Sequence, residues 1–170
     1  MRVLLTDNPA LGEVKRLISE GFLNEAGILP QLQIVQDKGS ADIMVDDDPE
    51  EYGPVLIISG EEHDLDSGRQ VYLGVRRIKK LEKSMFTHRE IRFEGLRNAC
   101  DSVMSNVRGE EGLTVFVDKS ILGGKDLLSA GLSASELIYI VQRVRFLRNV
   151  KCFVLKGFDD MLVKLLYEIL

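Results

Sequence analysis

Residues 55–59, 71–75 and 113–117 constrain this chain most, because in each stretch apolar residues follow one another with no polar alternation. A strand with one face in water alternates, whereas a strand apolar throughout is covered on both faces, as in a parallel sheet between layers of helices. The segments between them carry the helical period. Leu96, Ala99, Cys100, Val103, Met104 and Val107 recur at three and four residues, and so do Leu137, Ile140, Val141, Val144 and Leu147. Strands alternating with helices of this length predict an α/β fold of three layers with a mostly parallel sheet, residues 113–117 at its centre and Phe153 buried. The 170 residues fit one domain, 1–170.

Further strands are expected at 2–6, 32–35, 41–45 and 151–155. Asn8-Pro9 reads as a helix start, with Val14, Leu17 and Ile18 on its apolar face and Gly21 as its stop. A helix beginning near Phe93 or Glu94 carries the stripe that ends at Val107. Ser133-Ala134-Ser135-Glu136 is a capping box, and Asp159-Asp160 opens a last helix with Met161, Leu162, Leu165, Leu166 and Ile169 facing inward.

The net charge of −5 argues against a nucleic-acid partner, whose backbone demands a basic face. Arg76, Arg77, Lys79, Lys80 and Lys83, and then Arg143, Arg145, Arg148 and Lys151, form local basic groups that read as solvated faces of an acidic domain. No apolar stretch is long enough to cross a bilayer, so no membrane association is expected and the location reads as cytoplasmic. Cys100 on a helix stripe and Cys152 in a strand, with no Cys-x-x-Cys spacing, read as reduced core thiols.

Candidate chemistry lies at strand ends, where parallel sheets bind ligands. Asp118 follows the central strand directly, either as a functional carboxylate or as a cap before the Gly123-Gly124 loop. Two acidic clusters also follow strands. The first is Asp46, Asp47, Asp48, Glu50 and Glu51; the second is Glu61, Glu62, His63, Asp64 and Asp66. Loops rich in carboxylate oxygen can hold one divalent cation, and His63 adds an imidazole, but consecutive acids are also the ordinary content of a solvated loop.

Several segments in order resemble the arginase and agmatinase (ureohydrolase) family over residues 71–170. Tyr72-Leu73-Gly74-Val75-Arg76 is similar to that family's strand ending in Gly-x-Arg, and Phe86-Thr87-His88-Arg89-Glu90-Ile91-Arg92-Phe93-Glu94-Gly95-Leu96 to the segment before its next long helix. Val117-Asp118-Lys119-Ser120-Ile121-Leu122-Gly123-Gly124 falls where the family carries Asp-x-Asp-x-x-Asp-Pro. Gly131-Leu132-Ser133 matches a Gly-Leu-Ser before a helix, and 154–159 falls where a strand ends in Glu-Val-Asn-Pro. The resemblance implies an arginase-like fold, shortened, and a crevice that in the family holds two manganese ions. Here Asp118 keeps the first acid, Ser120 and Gly123 stand in place of the next two, and Lys156 replaces the substrate-facing Glu. The family's Gly-Gly-Asp-His motif is echoed only by Ile58-Ser59-Gly60-Glu61-Glu62-His63, and its Asp-x-His-x-Asp motif more faintly by Glu61-Glu62-His63-Asp64-Leu65.

Two functions follow as expectations. One is a non-catalytic relative with no cofactor that binds a protein partner, a second copy of itself or a small ligand at a crevice of Asp118, Ser120 and Lys156, with Lys156 paired to Asp118. The other is a hydrolase using a single divalent cation held by Asp118 and the loop Glu61, Glu62, His63, Asp64 and Asp66. A degenerate receiver-like domain is a rival fold, suggested by Leu5-Thr6-Asp7 and by the Lys156 that closes a strand.

Overall fold

Among the described residues, eight strands, every neighbouring pair of them parallel, form one sheet in the order β2-β1-β3-β8-β7-β4-β5-β6. The computed structural model describes residues 2–5, 12, 16, 33–35, 38–45, 53–63, 65, 68–76, 84–123, 131–158 and 161–169. The expected Asn8-Pro9 helix start, the first acidic cluster, Asp64, Asp66 and Asp159-Asp160 lie outside the described residues.

The strands are β1 Arg2–Leu5, β2 Gln33–Val35, β3 Ile43–Val45, β4 Val55–Ile58, β5 Gln70–Val75, β6 Ser84–Thr87, β7 Leu113–Asp118 and β8 Val150–Lys156. β7 sits inside the sheet between β8 and β4, as its unbroken apolar run requires. Alternate residues of β3, β4, β5, β7 and β8 feed two cores. Leu56, Ile58, Val115, Val117, Phe153 and Leu155 meet the helices Leu96–Val107, Ala134–Val144 and Leu162–Ile169 on one face. Ile57, Tyr72, Phe116 and Val154 are buried on the other. Phe153 is 6% exposed, in line with expectation. Cys100 and Cys152 are free and buried, and burial pushes the Cys100 thiol up to about 11.

One stretch departs from the expectation. Residues 84–87 form the edge strand β6, and a helix starts at His88 rather than near Phe93 or Glu94. Thr87 caps it: its hydroxyl accepts from Glu90 N at 3.2 Å, and the Glu90 carboxylate accepts from Thr87 N at 2.6 Å. This helix ends at Gly95, whose φ of +88° breaks the chain before Leu96–Val107 begins. The Ser133–Glu136 capping box is present as read.

The receiver-like alternative is excluded by strand order. Such a sheet runs 2-1-3-4-5, whereas β8 and β7 here stand between β3 and β4.

Candidate functional site

Because β7, β4 and β5 are neighbours and parallel, their carboxyl ends open on one edge of the sheet. Asp118 ends β7 and caps the short 3-10 turn Lys119–Ile121, its Oδ1 accepting from Ser120 N at 2.7 Å. The cap reading of Asp118 therefore holds. Its other oxygen, Oδ2, lies 3.1 Å from Nε2 of His63, which arrives from the loop after β4.

Ser59, the residue that follows β4, is fully buried, and its hydroxyl is the junction of the cluster. Ser59 Oγ lies 3.0 Å from His63 Nε2 and 3.0 Å from Ser120 Oγ, and accepts from Glu61 N at 3.0 Å. Gly60 N donates to Ser120 Oγ at 3.2 Å.

The His63 loop is held from below by a buried tyrosine. Tyr72 Oη accepts from His63 N at 3.3 Å and lies 2.8 Å from the His63 carbonyl, so one phenol grips both backbone groups of that residue. The imidazole also stands edge-on to the Phe116 ring, centroids 4.9 Å apart.

Arg76 completes the edge from β5, donating from Nη2 to the Ser120 carbonyl at 2.8 Å. Two glycines let this edge close up. Gly74, at φ +98°, sits where the β5–β6 register slips, and a methyl there would strike Ile121. Gly60 lies under the guanidinium, where any side chain would collide with it. Arg76 is thus no part of a solvated basic face. In the second basic group Arg143 pairs with Asp101, and Arg145 donates to the Glu168 carbonyl at 2.8 Å.

Burial raises the Asp118 carboxyl, but the hydrogen bonds from His63 and Ser120 outweigh it and hold the group below the ordinary carboxylate value. Lys156 stands in register with Asp118 across β7 and β8, and His63 is an ion-pair partner of Asp118. The imidazole reaches Oδ2 from a loop already fixed by Tyr72, and Ser120 N takes Oδ1.

Among the described residues of the second acidic cluster, His63 meets Asp118, while Glu61 is exposed and Glu62 half-buried. Sequence reasoning missed Ser59, Tyr72, Arg76 and Phe116 as site residues. The rule that singled out Asp118, a polar residue at the end of an apolar strand, applies equally to Ser59. Tyr72 and Phe116 carry no such signal, since each reads as core.

No protein-family model matches this sequence, and no curated protein matches it. Solved structures do. The fold is that of arginase: the Bacillus subtilis enzyme superposes with a TM-score of 0.71 at 10% identity, over 99% of this chain and 97% of that one. Arginase from Bacillus caldovelox gives 0.70 at 8% identity, over 99% and 95%. Formimidoylglutamase from Bacillus subtilis gives 0.54 at 13% identity, and this chain spans 66% of its length. The likeness extends well beyond residues 71–170. At these identities it defines the architecture and leaves the chemistry to the residues themselves.

Proposed function

We propose that this chain is a non-catalytic protein on the arginase fold, which binds a partner protein, a second copy of itself or a small ligand at the strand-end crevice of Asp118, Ser120 and Lys156. The observation that carries this reading is the poverty of the donor set. A pair of manganese ions needs several carboxylates and imidazoles within a few ångströms. The described residues bring one carboxylate and one imidazole to this edge, and no three His, Cys, Asp or Glu side chains converge among them. They do not fit the pair. Lys156, in register beside Asp118, adds positive charge to the same strand ends, which disfavours a second cation.

Arginine, agmatine and other guanidino compounds should therefore release no urea, whatever manganese is supplied. Release that depends on manganese and disappears in Asp118→Ala overturns the reading.

One observation favours a second reading, a single-cation hydrolase. His63 Nε2 and Asp118 Oδ2 lie 3.1 Å apart, a separation compatible with two ligands of one ion, and Asp64 belongs to the same loop. Elemental analysis of protein purified without chelators decides between the two: a stoichiometric divalent metal supports the hydrolase, and its absence supports the binding protein.

A further inference from the structure

Among the described residues two large apolar side chains stand exposed, Phe93 at 92% and Phe146 at 72%, and they are not equivalent. Phe146 has the Arg145 guanidinium over its ring at 4.9 Å, so the chain supplies that ring with a partner of its own. Phe93 has no ring or cation contact among the described residues. A lone exposed aromatic is ordinary. What sets Phe93 apart is the helix that carries it.

The helix His88–Glu94 buries Ile91 and exposes Arg89, Glu90, Arg92, Phe93 and Glu94. At about 100° per residue, Phe93 lies about 160° round the axis from Ile91, so it points away from the body. A helix this short is not stable by itself, yet this one is held along its whole length. Thr87 and Glu90 cap its start, and Gly95 N closes its end by donating to the Ile91 carbonyl at 3.0 Å. Arg92 ties it to the start of the helix Ala134–Val144, donating to the Glu136 carboxylate at 2.5 Å and to the Gly131 carbonyl at 3.1 Å. The chain thus fixes the direction of an aromatic ring that it does not itself cover. An anchor held in this way has little freedom left to lose on docking.

The charges beside the ring identify the partner. Arg89 lies about 40° to one side of Phe93, and Glu90 and Glu94 lie about 60° and 100° to the other. Glu90 serves the cap. Arg89, Glu94 and, past the break at Gly95, Arg97 have no ion-pair partner among the described residues. A nucleic acid or an anionic bilayer would be drawn to the arginines but repelled by the carboxylates next to them. A rim of both signs around an apolar centre fits a protein, and it fits its own copy: a two-fold axis along the helix turns the Arg89 flank of one chain onto the Glu94 flank of the other, twice.

We propose that the helix His88–Glu94 is a self-docking surface, on which two copies of this chain meet through Phe93, with Arg89 of each facing Glu94 of the other. One short helix is far less than the roughly 20–30 residues a side of a standard interface, so the dimer is weak, with a dissociation constant on the order of 10–100 μM. The contact lies outside the crevice of Asp118, Ser120 and Lys156 and does not depend on what that crevice holds.

Sedimentation of the full chain over a range of concentrations reads the contact. Wild type should pass from monomer to dimer, and Phe93→Ser should weaken that step about tenfold or more. Phe146→Ser removes the other exposed ring and should leave it unchanged. Arg89→Glu makes both flanks of the ring acidic, and Glu94→Arg makes the rim mostly basic, so each variant should stay monomeric where wild type dimerises. An equimolar mixture of the two should dimerise again. Neither change threatens the helix, because an acid near its start and a base near its end both suit the helix dipole. A wild type that is monomeric up to about 1 mM, charge variants that dimerise as wild type does, a mixture that stays monomeric, or an equal loss in Phe146→Ser each overturns the proposal.

Discussion

Replacing Gly60 by alanine tests the geometry of the site with one methyl group. An added Cβ would lie 2.3 Å from the Ser120 carbonyl oxygen, 2.8 Å from Arg76 Nη2 and 3.0 Å from its Cζ, where ordinary contact begins at 3.4 Å. The guanidinium is the end of a flexible side chain and can withdraw, but only by giving up its 2.8 Å bond to the Ser120 carbonyl. The carbonyl cannot withdraw so easily. It belongs to a turn pinned by the Asp118 cap and by Leu122 N bonding to the Lys119 carbonyl. Overpacking of this kind costs about 1–3 kcal/mol, and a lost charge-assisted hydrogen bond adds about 1–2 kcal/mol after discounting for partial exposure. Gly60→Ala should therefore lose about 2–5 kcal/mol in urea unfolding with an unchanged m-value. Gly109→Ala is the control, since nothing lies within 4 Å of its would-be Cβ, and it should stay within about 0.5 kcal/mol of wild type. Because the clash is partly with Arg76, removing that side chain should relieve part of the penalty, so the double variant with Arg76→Ala should fall short of additivity. A Gly60→Ala loss below about 1 kcal/mol, or strict additivity with Arg76→Ala, refutes the close approach.

Phe153→Ala removes a large buried side chain from β8 and should cost about 3–5 kcal/mol in the same assay; under about 1 kcal/mol, the strand is not packed as described. The Asp118 carboxyl is held below its ordinary value, so it contributes stability above its unfolded value of about 3.9, and that stability is lost as pH falls through the lower folded value. Wild type should thus lose stability in acid more steeply than Asp118→Asn below about pH 4, and parallel acid limbs for the two would contradict the assigned hydrogen bonds.

The sheet was legible because burial on both faces removes alternation, a signature that survives in residues 55–58 and 113–117 however the flanking helices vary. The helix at His88–Glu94 was written in the sequence and passed over. Thr87 and Glu90 stand at capping-box spacing, but a helix with one buried residue, Ile91, has almost no apolar stripe to announce it. The site was half legible. Asp118 declared itself by following an apolar strand, and His63 by being an imidazole among acids. Their meeting depends on β4 lying beside β7, a pairing between strands with β5 and β6 between them in the chain, which local pattern does not encode. Tyr72 could not be read at all, because a tyrosine in a buried strand looks the same whether or not its hydroxyl grips a loop.

The strand order also sets how this protein must be made. β3 emerges from the ribosome well before its sheet neighbour β8, with Ile43 opposite Phe153, so one edge of the β2-β1-β3 unit stays unpaired until β8 has followed. The β4-β5-β6 unit waits in the same way for β7. Pairings this distant in sequence slow folding, and open strand edges invite pairing with other chains in the interval. A release that stops short of residue 150 would leave the edges of β3 and β7 bare together, making early termination far more hazardous here than the loss of a single strand suggests.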